Sequence, residues 1–335
     1  MSNLFTDALR QILADHCSTD VVRQIEIQPD PHTLWDQLDE SGFANVLLAE
    51  SNGGAGLSLR ELFPLLELCG QYALPLPFGE TIMGRALLSA ANITCPKGLI
   101  SLSQARMVNG VMQCNAVRGG SVSSHVLVCF DGEIRLLSSL QAQRTPDIWS
   151  MDATLMWSHE QWKQAPIISS AGSLLEIQAA VCSAYISGAL THVLDTTLQY
   201  AGERRQFGQP IAKFQAIQHQ LSVMAEHCFA ARMAAQMCFQ VQQLPLEPLR
   251  VAVAKARTSE AALEVASLSH SVHGAIGFTA EYDLQIYTRR LHAWRQTAGS
   301  ESYWHDVAGA YVTNSNDASL DILRSATDFI TTEKI

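Results

Sequence analysis

The sequence predicts a mostly α-helical chain interrupted by one small antiparallel β-domain. Apolar residues recur at three- and four-residue spacing toward both ends. Between residues 96 and 168 the pattern changes to short β-rich runs broken by Asn-Gly, Gly-Gly and Asp-Gly. Charged residues make up only 16% of the 335 residues, against 47% hydrophobic ones. So few charges on so much apolar side chain call for large internal or intersubunit surfaces and exclude a disordered chain. The balance of 22 Lys plus Arg against 32 Asp plus Glu, a net charge of −10, argues against non-specific nucleic-acid binding.

The elements follow in chain order. Residues 4–16 and 33–41 carry amphipathic helical spacing, with Leu34 and Leu38 on one face and Asp30-Pro31 as a helix start. GFANVLLAESNGGAG reads as a short extended run entering a glycine-rich turn. Gly53-Gly54-Ala55-Gly56 has no following lysine and no βαβ context, so it is a turn and not a nucleotide loop. LSLRELFPLLELCGQYA is a helix whose Ser58 and Glu61 form a capping box, ended by Pro75 and Pro77. GETIMGRALLSAA adds one more helix and closes the first region near residue 93.

ARMVNGVMQCNAVRGG, HVLVCFDGEIRLLSS and PIISS then make a β-domain of about 70 residues, in which Asp131-Gly132 marks a two-residue hairpin. Stretches at 174–202, 215–242 and 246–272 are rich in Ala, Leu, Gln and Met, and predict about four long helices. The division is therefore 1–95, 96–170 and 171–335.

The eight cysteines (17, 69, 95, 114, 129, 182, 228, 238) show no Cys-x-x-Cys and are expected to be buried reduced thiols. The N-terminus carries acids and no apolar run of signal-peptide length. No stretch approaches 18 uninterrupted apolar residues, so a cytoplasmic protein without a membrane span is expected.

Two segments carry chemistry. YAGERRQFGQPIAKFQAIQHQLSVMA (200–225) offers guanidinium groups for phosphate oxygens, an amide, and an aromatic ring in a turn between helices. HSVHGAIGFTAEYDLQIYTRR (270–290) has Gly274 and Gly277, which permit close backbone approach to a ligand. Together with LWDQLDESGFANVLLAESNGGAGLSLRELFPLLELCGQYALPLPF, they resemble the acyl-CoA dehydrogenase family. The likeness rests on Glu203-Arg204-Arg205-Gln206-Phe207-Gly208, Phe214-Gln215, Gly274-Ala275-Ile276-Gly277-Phe278 and Glu281, and covers about 30–93 and 174–312.

The resemblance implies an N-terminal helical domain, a reduced β-domain and a C-terminal four-helix bundle. It also implies a flavoprotein that oxidises an acyl-CoA thioester to its trans-2-enoyl form, using FAD and passing electrons to an electron-transfer flavoprotein. By the family pattern Arg204, Gln206, Phe207 and Gln215 meet the pyrophosphate and adenosine end of FAD. Ser271, Gly274 and Ala275 meet the same end of a flavin held by the neighbouring subunit.

The resemblance also locates two departures. One family seat for the proton-abstracting glutamate lies 24 residues after Gly274, which lands on Ala298. The other lies 25 residues before Arg204, at Ala179 with Gln178 beside it. None of these side chains takes a proton. Glu301 could serve if the loop shifts. Glu176 could serve if the register is off by two, although two residues turn a helical side chain by about 200°. The favoured expectation is that a second, similar subunit supplies the base.

The family's flavin-ring loop in the β-domain is also unmatched, and Trp149, Trp157 and Trp162 sit outside any such context. This pattern resembles one half of a heteromeric bacterial α2β2 acyl-CoA dehydrogenase, several of which act on bulky or steroid side-chain CoA esters. The alternatives are a self-sufficient homo-oligomer using Glu301 or Glu176, and a non-enzymatic scaffold that has lost flavin. Among the remaining polar residues, Glu281 and Asp283 are expected to stabilise a helix N-terminus, and His219 and His227 to cover a packed face. His270 and His273 lack a third metal ligand, and Arg289-Arg290 is left between a CoA phosphate and a partner's acidic surface.

Overall fold

The computed structural model describes residues 2–28, 30–147, 151–169 and 172–327. The first region holds α1 (Ser2–His16), α2 (Thr19–Ile27), α3 (His32–Glu40), α4 (Leu59–Gln71) and α5 (Phe78–Ala90). The capping box forms as expected: Ser58 Oγ accepts the Glu61 N–H at 3.3 Å, and Glu61 Oε2 accepts the Ser58 N–H at 3.0 Å.

Between α3 and α4 the structure corrects the expected extended run. The chain makes two 3₁₀ turns, Phe43–Asn45 and Glu50–Asn52. Gly42 and Gly53 flank them in left-handed conformations (φ +79° and +76°), which tighten the path and turn Phe43 and Ala44 into the core. Helix α2 escaped the sequence reading because its nine residues bury only Val22 and Ile25, too few for a clear period.

The β-region comprises β1 (Ile100–Gln104), β2 (Arg106–Val108), β3 (Val111–Val117), β4 (His125–Phe130), β5 (Glu133–Ser138), β6 (Gln143–Pro146) and β7 (Ala153–Ser158). They form two sheets, ordered β1-β4-β5 and β2-β3-β7-β6. Asp131 and Gly132 (φ +51° and +78°) turn the β4–β5 hairpin, with Phe130 opposite Glu133.

The region is not wholly antiparallel. β1 and β4 pair in parallel, Ile100 opposite His125, because the chain leaves to build β2 and β3 in the other sheet before returning. The 166–170 run contributes, among its described residues, one bridge from Ile167 to Arg135. Trp157 and Trp162 are buried in the small core of this region, while Trp149 lies outside the described residues.

The rest is helical: α6 (His159–Gln164), α7 (Leu174–Glu203), α8 (Gln215–Cys238), α9 (Pro248–His273), α10 (Leu284–Gln296), α11 (Glu301–Asn314) and α12 (Ser319–Thr327). A two-residue hairpin, β8 (Arg205–Gln206) with β9 (Gln209–Pro210), joins α7 to α8. Helix α7 is long and apolar enough to cross a membrane by length and composition alone, but 89% of that stretch is buried within the protein. It crosses α4 backbone to backbone. A Cβ on Gly188 would stand 1.9 Å from Glu67 O, and one on Gly70 would stand 2.0 Å from Tyr185 O.

A single hydrophobic core joins the N-terminal helices to the bundle. All eight cysteines are free, with Cys95 and Cys129 half-buried and the others buried. Burial pushes the Cys17 and Cys114 thiols up to about 12.

Several polar residues find partners that the sequence did not foretell. Glu26 on α2 accepts from Arg289 at 2.8 Å and from Arg290 at 2.5 Å, so both arginines are answered within the chain. Asp283 also reaches α2, accepting from Thr19 Oγ1 at 3.0 Å and from Arg23. It thereby ties two helices together, where only a helix-terminus effect was expected. His219 is exposed while His227 is half-buried against Arg257, since eight residues rotate a helical side chain by about 80°.

Candidate functional site

Helix α7 ends where Arg204 turns out of it, its N–H bonded to Tyr200 O at 2.8 Å and its carbonyl accepting from Ile211 N at 2.8 Å. That pair of bonds closes the β8–β9 hairpin. Phe207 and Gly208 occupy the turn at φ +49° and +81°. A bulky aromatic in the left-handed region is costly, and here its ring is 91% exposed, so core burial does not offset the cost. Among the described residues its ring contact is edge-on with Phe214, centroids 6.1 Å apart.

The opposite wall is the end of α9, where Gly274 (φ +65°) breaks the helix and the 3₁₀ turn Gly274–Phe278 begins. His273, the last helical residue, stacks on Tyr200 at 4.4 Å. Its Nδ1 lies 2.8 Å from Ser269 O; a carbonyl only accepts, so Nδ1 carries the proton. Burial holds this imidazole below its ordinary pKa, and its Nε2 is buried with no partner among the described residues.

Arg204, Gln206 and Phe207 from the hairpin meet Ser271, Gly274 and Ala275 from the α9 terminus around one cavity of about 420 Å³. Gln215 was expected with them but does not line it, opening α8 as an exposed residue. The Arg204 side chain makes no ion pair among the described residues. An uncompensated guanidinium, aromatic faces and a bare nitrogen acceptor suit a phosphate-bearing ligand with a ring, such as a dinucleotide. Ser271 Oγ also accepts from Gln220 Nε2 at 3.2 Å. His270 bonds Thr288 Oγ1 at 3.0 Å, and no group of three metal-ligating side chains occurs among the described residues.

A second site lies between the sheets and the bundle. A cavity of about 600 Å³ is lined by Asn115, Gln178, His292 and Ala298 among others, and it shares Asp152, Arg289, Ala293 and Thr297 with a neighbour of about 370 Å³. Ala298, at one expected base seat, and Gln178, beside the other, therefore face one space. Gln178 Nε2 is committed to Leu102 O at 3.1 Å, and Ala179 is fully buried within the bundle.

Neither alternative carboxylate lines these cavities. Arg295 grips Glu301, its Nε on Oε2 at 3.0 Å and its Nη2 on the other oxygen, which holds the carboxyl below its ordinary pKa. The loop is prevented from shifting by Lys255, whose fully buried ammonium donates to Arg295 O at 2.8 Å, Gly299 O at 3.0 Å and Ser259 Oγ at 2.9 Å. Desolvation still lowers the Lys255 pKa to about 8. Glu176 sits in the first turn of α7, where half-burial raises its pKa.

The structure adds a carboxylate that the sequence reading missed. Asp152 lines both cavities and accepts the Gly119 N–H at 2.9 Å, and burial pushes its pKa up to about 6. The available signal was an acid placed directly before the apolar strand β7. Beside it, Arg118 forms a charged floor. It donates to Glu80 at 2.6 Å and lies 4.6 Å from the Tyr185 ring centre and 5.4 Å from that of Trp294.

Comparison with known proteins gives both sequence relatives and structures of the same fold. Residues 168–309 match the acyl-CoA dehydrogenase C-terminal domain family. Acyl-CoA dehydrogenase IpdE2 of Mycolicibacterium smegmatis is 29% identical over 305 residues, covering 88% of this chain and 94% of that protein. Two solved structures share the fold. A variant of the Tcur3481–Tcur3483 steroid ACAD has a TM-score of 0.79 at 22% identity, covering 93% of this chain and 97% of that one. The ChsE4–ChsE5 complex from Mycobacterium tuberculosis has a TM-score of 0.78 at 16% identity, covering 94% and 98%.

Proposed function

We propose that this chain, whose residues 168–309 match the acyl-CoA dehydrogenase C-terminal domain family, is a non-self-sufficient subunit of such an enzyme: it grips the nucleotide end of an FAD and leaves proton abstraction to a second, similar subunit. One observation carries this reading. Six residues expected at the nucleotide end converge on one cavity, while the cavity at the base seats presents Ala298 and Gln178.

In this reading Arg204 pairs with a pyrophosphate oxygen, and the Gly274–Ala275 backbone admits the ligand closely. Phe207 lends its exposed ring to the adenosine. Bound flavin supplies the hydride acceptor for α,β-dehydrogenation of an acyl-CoA thioester, with an electron-transfer flavoprotein as the onward acceptor. The likeness to a steroid ACAD and to a two-component complex supports a bulky acyl-CoA and a heteromeric partner.

The test is to purify the chain alone and co-expressed with a homologue carrying a glutamate at either seat, then record flavin absorbance and acyl-CoA oxidation. Flavin and activity only in the co-expressed complex are expected. A colourless protein in both preparations would leave only the scaffold reading.

A second reading rests on Asp152, the carboxylate of raised pKa in the cavity that Ala298 and Gln178 line. A general base is best poised near the working pH, so Asp152 could abstract the proton in a self-sufficient enzyme. Activity of the chain alone, abolished by Asp152→Asn with flavin retained, would select that reading.

A further inference from the structure

The nucleotide-end cavity contains one polar group that the phosphate-gripping role does not use. His273 is 4% exposed, and its ring is held from two directions: Nδ1–H donates to Ser269 O at 2.8 Å, and one face stacks on Tyr200 at 4.4 Å. The backbone bond fixes the tautomer, so Nε2 presents a lone pair and no proton. That nitrogen is buried and unpartnered among the described residues, while its ring lines the cavity.

Phosphate oxygens only accept, so a lone pair cannot face the pyrophosphate that Arg204 addresses. The donors on such a ligand are at its nucleoside end. Aromatic walls from Tyr200, Phe207 and Phe214 also favour a flat base at this end of the cavity.

We propose that His273 selects adenine, its Nε2 accepting a hydrogen bond from the exocyclic 6-amino group. This rests on the nucleotide-gripping role and deepens it. A base with an oxygen at position 6 sets acceptor against acceptor there, and its neighbouring N1–H reaches Nε2 only if the whole base shifts, the kind of mismatch that buried polar sites reject.

The experiment is calorimetric titration of the flavin-stripped co-expressed complex with adenosine diphosphate and with inosine diphosphate, repeated on His273→Phe and His273→Gln. Wild type should bind the adenine nucleotide about tenfold or more tightly than the inosine one. His273→Phe keeps a ring against Tyr200 but has no acceptor, and should lower adenine-nucleotide affinity to the inosine level. The amide of His273→Gln can turn either group toward the base, and should bind both nucleotides about equally; it serves as the test if the Phe variant does not fold. Equal weakening of both nucleotides, or unchanged preference in both variants, would overturn the assignment to adenine and leave the grip intact. If wild type binds neither nucleotide, the grip itself is wrong and the assignment falls with it.

Discussion

Two cavity-bearing regions of this chain are built from opposite materials. The one at the α7–α8 turn is made of the ends of elements: a helix end, a short hairpin and a helix break, with Phe207 left 91% exposed. Its one cation has no ion-pair partner among the described residues. The one beneath the sheets is made of packed elements, and its arginines are answered inside the protein. Arg118 is answered by Glu80, and Arg289 and Arg290 by Glu26. The unpaired guanidinium stands at an open rim, whereas the interior arginines are balanced by carboxylates. Substitutions in the two regions should therefore fail differently, the interior in folding and the rim in binding.

The largest effect is expected in the interior. Glu80→Ala strands the buried Arg118 guanidinium and should destabilise the fold by about 3–5 kcal/mol in denaturant titration. A loss below 1 kcal/mol would show that the two flanking rings already suffice.

Asp152 comes next, with the opposite sign. Burial raises its folded-state pKa to about 6, above the ordinary carboxylate value of about 3.9. Folding therefore takes up a proton between those pH values, and stability falls as pH rises through them. The strain is complete above pH 6, on the order of 2–3 kcal/mol. Asp152→Asn, which can still accept from Gly119, should raise Tm at pH 7.5 and leave it unchanged near pH 4. Lower Tm at both pH values would make Asp152 an ordinary structural carboxylate.

At the rim, Arg204→Ala should leave Tm unchanged and weaken flavin retention by about 10- to 100-fold, the scale of a charge-assisted hydrogen bond. Unchanged flavin occupancy in the co-expressed complex would break the contrast between the regions. The smallest effect is at Phe207. Phe207→Asn suits the turn better and should gain up to about 1 kcal/mol of stability while lowering flavin affinity. A loss of stability would mean that the ring packs on something within the chain.

Local features were legible wherever a short-range interaction decides them. The Ser58–Glu61 capping box, the Asp131-Gly132 and Asn109-Gly110 turns, and the ends of α7 and α9 need only residues a few positions apart. Six of the seven residues expected at the nucleotide end meet for the same reason, since each hangs on a helix terminus marked by Gly208 or Gly274. Gln215 missed because its helix starts by turning that side chain outward.

What depends on distant partners was not legible. The parallel pairing of β1 with β4 is settled by which sheet the intervening strands join. The fate of Arg289 and Arg290 is settled by a glutamate on α2, more than 260 positions away. Glu301 was a candidate base until Arg295 and the Lys255-anchored loop were seen to hold it.

The amino-acid order by itself determined the capped start of α4, the β4–β5 hairpin turn, and the presence of an arginine-aromatic turn and a glycine break, because caps, periods and left-handed residues act locally. Only the tertiary structure decided which carboxylates are free to take a proton, because that depends on desolvation and on counter-ions brought from remote segments. Asp152 was invisible as a candidate until burial gave it a raised pKa and a cavity to face.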